Sequence, residues 1–239
     1  QIDPQKINPK TGSIRCATTE YESYLQEKHP NRMKNSEFES WLAPLVQNRA
    51  TMRTSKTNAI ITIPVVVHVV YNGQPVGTAP NISDLQVESQ ITVLNQDFRR
   101  MSGTPGYNTN TVGADTEIQF VLAKQDPNGN PTNGIVRRST TVSSFSSNNA
   151  MKFTAQGGSD AWNTSQYLNI WVCNLGSGLL GYAQFPGGAA NTDGVVVLTG
   201  SVGGPTVPGT TTSYNLGRTA THEVGHWLNL RHIWGDANC

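Results

Sequence analysis

The sequence lacks the marks of two broad classes of function. Its 239 residues include 17 basic and 16 acidic side chains, which gives a net charge of +1. This balance provides no bulk attraction to nucleic acid or to an anionic membrane surface. No apolar run approaches the ~20 residues of a membrane-spanning helix, and the run IITIPVVVHVV at 60–70 has the length of a strand. We therefore expect a soluble chain with no nucleic-acid partner and no membrane partner.

Charged residues and cysteines are also scarce. Charged side chains make up 14% of the sequence, while Gly, Thr, Ser and Asn are abundant, as is commoner in exported proteins. The sequence begins at Gln1 without a basic and apolar leader, which fits an exported chain whose signal has been removed. Its three cysteines are an odd number, so a partner for Cys239 could lie outside the sequence. We expect a secreted, extracellular protein.

The composition changes in the region of residues 53–57. The preceding part is rich in charge, and two capping-box patterns, at 19–22 and 36–39, predict two short helices. The polar stretch QNRATMRTSKTN at 47–58 is predicted to be an exposed, cleavable linker. We therefore divide the chain into a segment at 1–53 and a domain at 54–239.

The second part alternates strands and helices. Strands are predicted at 60–70, 118–123, 168–175, 179–185 and 194–200. Ser83 is expected to cap a helix that ends at Gly103, with an apolar stripe formed by Val87, Ile91, Leu94 and Phe98. A last helix is predicted at 214–228, with Asn215 as its cap. This order favours an α/β or α+β domain around one twisted, mixed five-stranded sheet.

The stretch HEVGHWLNLRH at 222–232 holds three of the five histidines. On a helix, His222 and His226 point to the same side and can bind one metal ion, with Glu223 beside them. In a continuous helix His232 would lie ~15 Å from His222 along the axis, so the chain must turn back if it is a third ligand. Asn229 is the natural position for the helix break, because Asn tolerates the left-handed conformation.

This arrangement predicts a catalytic zinc site. Three neutral histidines leave a fourth position for water, whose pKa zinc lowers towards ~7. Glu223 could take a proton from that water as it attacks a peptide carbonyl, and pass the proton to the leaving amine. The residues leave two alternatives: an amphipathic helix with surface histidines, or a binding or adhesion module whose catalysis is lost.

The motif HEVGHWLNLRH resembles the metzincin signature HExxHxxGxxH, with Asn229 at the glycine position. The runs YNLGRTATHEVGHWLNLRHIWGDANC, LNIWVCNL, LGYAQFPGG and DGVVVL are similar to the pappalysin (cytophagalysin) family over about residues 60–239. The resemblance implies a metzincin-like catalytic domain with a backing helix and an active-site helix. In that family the ligands of zinc would be His222, His226 and His232, and Glu223 would be the general base.

The resemblance also implies how substrates bind. The edge strand along the cleft would pair with an extended protein or peptide substrate, and its residues would be Leu180, Gly181, Tyr182 and Ala183. Taken alone, this run is explained equally well by core packing. The family cleaves next to basic residues, with Lys or Arg just after the scissile bond; a protease of another specificity is the alternative.

Some expected parts have no place in this sequence. The resemblance puts the acidic group of the specificity pocket, the methionine turn and most calcium ligands beyond Cys239. Asp236 could contribute to a calcium site, and a solvated turn explains it equally well. The implied C-terminal subdomain would then be truncated.

SIRCATTE at 13–20 resembles the pro-segment motif of latent pappalysins, with Ala17 where the family more often has Gly. There, a cysteine thiolate takes the open zinc position and excludes water. The resemblance makes Cys16 the latency ligand, residues 1–53 an inhibitory pro-segment and 54–239 the catalytic domain. Self-cleavage in the linker would release the segment. The alternative for Cys16 is a disulfide, to Cys173 or to a cysteine outside the sequence.

Overall fold

The computed structural model describes residues 6–52 and 59–232. Within them, six strands form one mixed sheet: β1 (Ile61–Tyr71), β2 (Ile118–Leu122), β3 (Ile135–Ser139), β4 (Leu168–Cys173), β5 (Gly181–Ala183) and β6 (Val195–Leu198). The strand order is β2, β1, β4, β6, β5. The β1–β2, β1–β4 and β4–β6 pairs are parallel, and β5 pairs antiparallel with β6. β5 therefore lies at an edge of the sheet.

The prediction of five strands missed β3. β2 and β3 share one side of β1 in succession: β2 pairs with residues 61–65 of β1, and β3 with residues 67–71. The sheet is thus five strands wide, although six strands build it. β3 has the sequence IVRRS and is at most half-buried, so it lacks the apolar pattern from which the other strands were predicted.

The mostly apolar sequence of β1 is explained by the central position of this strand. Residues 65–70 are buried, because strands flank β1 and both faces of the sheet are covered. Two helices pack on one face, α3 (Asp84–Phe98) and α4 (Arg218–Trp227), and together with the sheet they form the larger hydrophobic core. These are the predicted backing helix and the helix that carries the histidines.

The helix ends differ from the predictions in several places. Ser83 caps α3 as predicted, its hydroxyl accepting from the Gln86 N–H at 3.2 Å, but the helix ends at Phe98 rather than at Gly103. The α4 cap is Gly217 and not Asn215. The cap residue has a left-handed φ of 80°, and a Cβ there would lie 2.4 Å from the Gly203 carbonyl oxygen, so glycine is required.

The N-terminal segment contains α1 (Thr18–Lys28) and α2 (Asn35–Met52). Neither predicted hydroxyl cap is correct, because Thr19 and Ser36 both lie inside their helices. The predicted linker at 47–58 is also wrong in its first half, since α2 continues to Met52; residues 53–58 lie outside the described part.

The N-terminal segment completes a second core on the other face of the sheet. Four of its residues pack there: Ile14 and Ala17, which precede α1, and Tyr21 and Leu25, which lie on one face of α1. They contact β4, β5 and β6 through side chains such as Trp171, Tyr182 and Val196. The described chain has no helix long and apolar enough to cross a membrane.

Candidate active site

Helix α4 ends in a turn that brings the third histidine back. Asn229 has a φ of 71°, the left-handed conformation. The Asn229 N–H donates to the His226 carbonyl at 2.8 Å, and the Leu230 N–H to the Gly225 carbonyl at 2.8 Å. These paired bonds are typical of helix ends at a left-handed residue. The chain reverses within a few residues, so that His232 returns towards the helix.

The three histidine rings converge on one point. Their Nε2 atoms lie 3.0 Å apart for His226 and His222, 3.1 Å for His222 and His232, and 3.2 Å for His226 and His232. The Cys16 Sγ joins them, and the four potential ligand atoms all lie within 4.8 Å of one another. The structure therefore assembles two histidines of one helix, one of the turn, and a thiol about two hundred positions away.

This donor set fits a zinc ion. Nitrogens ~2.0–2.1 Å from a tetrahedral zinc would be ~3.3 Å from one another, close to the observed separations. The His226 Nδ1 lies 2.7 Å from the Leu230 carbonyl oxygen, which only accepts hydrogen bonds. In the neutral ring the Nε2 therefore carries the lone pair, as a metal ligand requires. Imidazole and thiolate are both ligands that zinc takes readily.

Glu223 lies beside this cluster and is fully buried. Its Oε2 accepts a hydrogen bond from the Thr18 hydroxyl at 2.9 Å, and the Cys16 thiol is 3.5 Å from the same oxygen. Burial raises the pKa of Glu223 to about 8, although these two hydrogen bonds lower it. The strand residue opposite is Gly181, where a Cβ would come within 3.0–3.1 Å of the Glu223 side chain. A side chain at position 181 would crowd the carboxylate.

Burial also raises the pKa of the Cys16 thiol, and the charge of Glu223 adds to the increase. A cation at the histidine cluster acts in the opposite direction, since a thiol bound to zinc is deprotonated. No disulfide joins Cys16 to Cys173, and both are buried thiols; Cys239 lies outside the described residues. The disulfide between Cys16 and Cys173 is thus not formed.

The N-terminal segment runs along the edge strand. The Ile14 N–H donates to the Gly178 carbonyl at 2.8 Å, and the Leu180 N–H to the Ile14 carbonyl at 2.9 Å. Further on, the Ala17 N–H donates to the Gly181 carbonyl at 3.1 Å. Of the predicted edge residues, Leu180 lies just before β5, while Gly181, Tyr182 and Ala183 are β5. All four are buried, and the N-terminal segment occupies the edge where the family resemblance places a substrate.

Sequence reasoning missed Thr18. Its hydroxyl donates to Glu223 and accepts from the Ala183 N–H at 2.9 Å, so it joins the carboxylate to the edge strand. The Cys16 thiol is 3.2 Å from the same hydroxyl. The stretch ATTE drew attention to Thr19 as a helix cap; the spacing of two residues from Cys16 was the only signal for Thr18.

Sequence reasoning also missed a contact between α2 and the turn after α4. Glu39 of α2 accepts a hydrogen bond from the Asn229 side-chain amide at 2.9 Å, and lies 3.7 Å from the Arg231 guanidinium. That guanidinium also lies over the Phe185 ring, 3.8 Å from its centroid.

Beside the cluster, a cleft of about 880 Å³ is lined by Arg15, Cys16, His222, His232 and residues 6–10.

Several known proteins are similar to this chain in sequence and fold. The model of the peptidase M43 family, described as pregnancy-associated plasma protein-A, matches residues 152–239. A promirolysin mutant of Tannerella forsythia superposes with a TM-score of 0.71 at 45% identity, over 92% of this chain and 70% of that one. The chain belongs to the peptidase M43 (pappalysin) metalloprotease family. The family resemblance and the metzincin fold expected from the sequence are confirmed.

Other members of the family are similar over much of the chain. Mature mirolysin of Tannerella forsythia in complex with a cleaved peptide is 55% identical, with a TM-score of 0.67, over 76% of this chain and 67% of that one. Extracellular metalloproteases of Arthroderma otae and Arthroderma benhamiae are 34% and 32% identical, over 77% and 87% of this chain. The chain spans 56% and 64% of the length of these two relatives.

Proposed function

We propose that this chain is the latent form of a secreted zinc endopeptidase. The observation that carries the proposal is the convergence of His222, His226, His232 and Cys16 within 4.8 Å, next to the buried Glu223. A helix with surface histidines would not need a third histidine returned by a left-handed turn. Family membership supports a metal-dependent protease, and relatives named as extracellular support secretion.

In this proposal the three histidines hold zinc, and Glu223 is the general base. When bound there, zinc would polarise a peptide carbonyl and make a water molecule acidic enough to lose a proton near neutral pH. Glu223 Oε2, now hydrogen-bonded by Thr18, would accept that proton and deliver it to the leaving amine nitrogen.

Substrate would replace the N-terminal segment on the edge strand. The backbone groups of Gly178, Leu180 and Gly181 already bond to an extended chain, which supports strand addition as the binding mode. We further propose a preference for Lys or Arg just after the scissile bond. It is supported by Arg15, which precedes Cys16 in the cleft and lies over the Tyr214 ring at 5.6 Å, so a basic side chain is accommodated beside the cluster.

Latency would have two parts in this proposal. Cys16 occupies the fourth metal position, and the Thr18 hydroxyl occupies the base and the Ala183 N–H at once. Residues 1–53 would thus be the inhibitory segment, and 54–239 the catalytic domain. Asp236, the residue considered for a calcium site, lies outside the described residues, and the proposal includes zinc alone.

The test uses the chain and its Glu223→Gln variant, which keeps the size of the side chain and removes the base. Both are expected to bind one zinc ion, measured by elemental analysis, and only the chain with Glu223 should cut a denatured protein mixture after its segment is processed. Zinc bound without any cleavage would favour the inactive binding module. The absence of zinc from both proteins would contradict the site itself.

The cut sites from the same digest test specificity and self-activation. Mass spectrometry of the products should show Lys or Arg enriched directly after the cut; no enrichment would contradict the preference. Incubating each protein alone tests the release of the segment. Equal processing of the chain and of Glu223→Ala in the linker would rule out self-cleavage.

A further inference from the structure

Tyr21 of α1 fills a pocket whose walls belong to the catalytic half of the chain. Its ring is 2% exposed and lies 4.9 Å from the Tyr182 ring, centroid to centroid. The Asn149 side-chain amide donates to the Tyr21 hydroxyl, and the Lys152 amine lies over the ring, 5.4 Å from its centroid. One phenol is therefore contacted by an aromatic ring, an amine and an amide.

The residues that line the pocket also form hydrogen bonds and ring contacts that do not involve Tyr21. The Tyr182 hydroxyl donates to the Asn149 side-chain oxygen at 3.2 Å, which fixes the amide so that its NH₂ group faces Tyr21. The Lys152 amine donates to the Thr192 carbonyl at 2.6 Å and lies 5.1 Å from the Trp171 centroid and 5.3 Å from that of Tyr182. None of these contacts involves a residue of α1.

The groups in this pocket are costly to bury. Lys152 is fully buried, and burial lowers its pKa to about 7 although Asp193 opposes the change. Asn149 is buried as well and has a left-handed φ of 67°. A site that only packed an apolar anchor would be lined by apolar side chains. The Lys152 amine faces an aromatic ring, and the Asn149 amide selects for a hydroxyl group on that ring.

We propose that Asn149, Lys152 and Tyr182 form a binding site for a phenolic side chain, occupied here by Tyr21 and open to a tyrosine of a bound polypeptide once α1 leaves. The second occupant rests on the proposed release of the N-terminal segment. The recognition of a phenol by this site does not depend on that release, and it can be measured on the intact chain without proteolysis.

The first experiment empties the pocket and refills it. In Tyr21→Ala, added p-cresol, which has the shape of the tyrosine ring with its hydroxyl, should raise the Tm by about 2–4 °C. Toluene, which lacks only the hydroxyl, should raise it less, and the unchanged chain should not respond to either. Equal effects of the two compounds, or an equal shift in the unchanged chain, would overturn the proposal.

A second experiment covers the case in which Tyr21→Ala does not fold. Tyr21→Phe removes one oxygen atom and leaves the Asn149 amide without its acceptor, so its Tm should fall by about 2–4 °C. The matched control is Tyr24→Phe on the same helix, where the side chain is 43% exposed and no change is expected. Equal Tm values for the two variants would contradict selection for a phenol.

Discussion

The two helices of the N-terminal segment meet the rest of the molecule in different ways. Helix α1 buries Tyr21 and Leu25 in the second core, and Thr18 at its start contacts Glu223. Helix α2 is longer, yet it leaves Trp41 55% exposed and Leu45 48% exposed. Its described contacts with the active site are those of Glu39 with the turn after α4. The contacts of the N-terminal segment with Glu223, the edge strand and the second core are thus concentrated in the short stretch from Ile14 to Leu25.

In the proposed latent form, α1 would therefore block the site, whereas α2 would only contact the turn after α4. If so, changes in the contacts of α1 should have large effects, and changes in α2 should have small ones. The following variants test that difference.

The largest effect is expected for Arg32→Met, just after α1. Arg32 and Glu22 form an ion pair at 2.7 Å whose side chains are 7% and 5% exposed. Losing the guanidinium leaves a buried carboxylate uncompensated, which costs about 3–5 kcal/mol. Urea unfolding measures the loss in the free energy of unfolding. The control is Lys6→Met, which removes the more exposed ion pair of Lys6 with Glu20 and should cost at most about 1 kcal/mol. Equal costs for the two variants would contradict the account.

The buried amine of Lys152, which lies over the Tyr21 ring of α1, should make the stability of the chain depend on pH. Burial lowers the pKa of Lys152 from 10.5 to about 7, so between these values the unfolded chain binds a proton that the folded chain does not. The contribution of Lys152 to the free energy of unfolding should therefore rise from pH 7 towards 10.5, by at most about 1.4 kcal/mol per pH unit, whereas the raised pKa values of Glu223 and of the two buried thiols act in the opposite direction. Urea unfolding at several pH values should show a more positive slope of stability against pH in the unchanged chain than in Lys152→Met. Identical slopes would mean that Lys152 is not buried as described.

An intermediate effect is expected for Thr18→Val. Valine keeps the shape of the side chain but leaves Glu223 and the Ala183 N–H without this partner, at a cost of about 1–3 kcal/mol. Hydrogen exchange at Ala183 should then be faster by about one to two orders of magnitude, whereas Thr18→Ser should exchange at nearly the original rate. Equal exchange in the two variants would show that the hydroxyl does not hold the strand edge.

The smallest effect is expected for Glu39→Gln on α2. The ion pair with Arg231 is 3.7 Å long and its Glu39 side chain is 52% exposed, so its loss should cost at most about 1 kcal/mol. The side-chain oxygen of the introduced glutamine could still accept the hydrogen bond from Asn229. Urea unfolding should therefore barely distinguish this variant from the unchanged chain; a cost as large as that of Arg32→Met would remove the distinction between the two helices.

Much of the candidate site could be predicted from the spacing of residues along the sequence. The interval of four places His222 and His226 on one side of a helix, and the need for a turn before His232 indicates Asn229. The Cys16 motif also names the residue that the structure places at the cluster. These features depend on neighbours along the chain or on a short motif, which is why the sequence reveals them.

The features that the sequence did not predict depend on contacts between residues far apart in the chain. β3 is a strand because β2 leaves half of β1 unpaired, a fact that its own sequence IVRRS does not contain. The role of Thr18 depends on the N-terminal segment, which runs beside Ala183. The role of Lys152 depends on three aromatic rings from separate elements that surround its amine. Both capping-box patterns had the same form in α1 and α2, so they could not distinguish the helix that contacts Glu223 from the one that does not.

The most direct test of the account is the set of atoms bound to zinc in the intact chain. X-ray absorption at the zinc edge should show one sulfur at ~2.3 Å and three nitrogens at ~2.0–2.1 Å, and the sulfur should be lost in Cys16→Ser. That result would establish that Cys16 and the three histidines form one metal site. A spectrum with nitrogen and oxygen ligands alone, unchanged in Cys16→Ser, would contradict it.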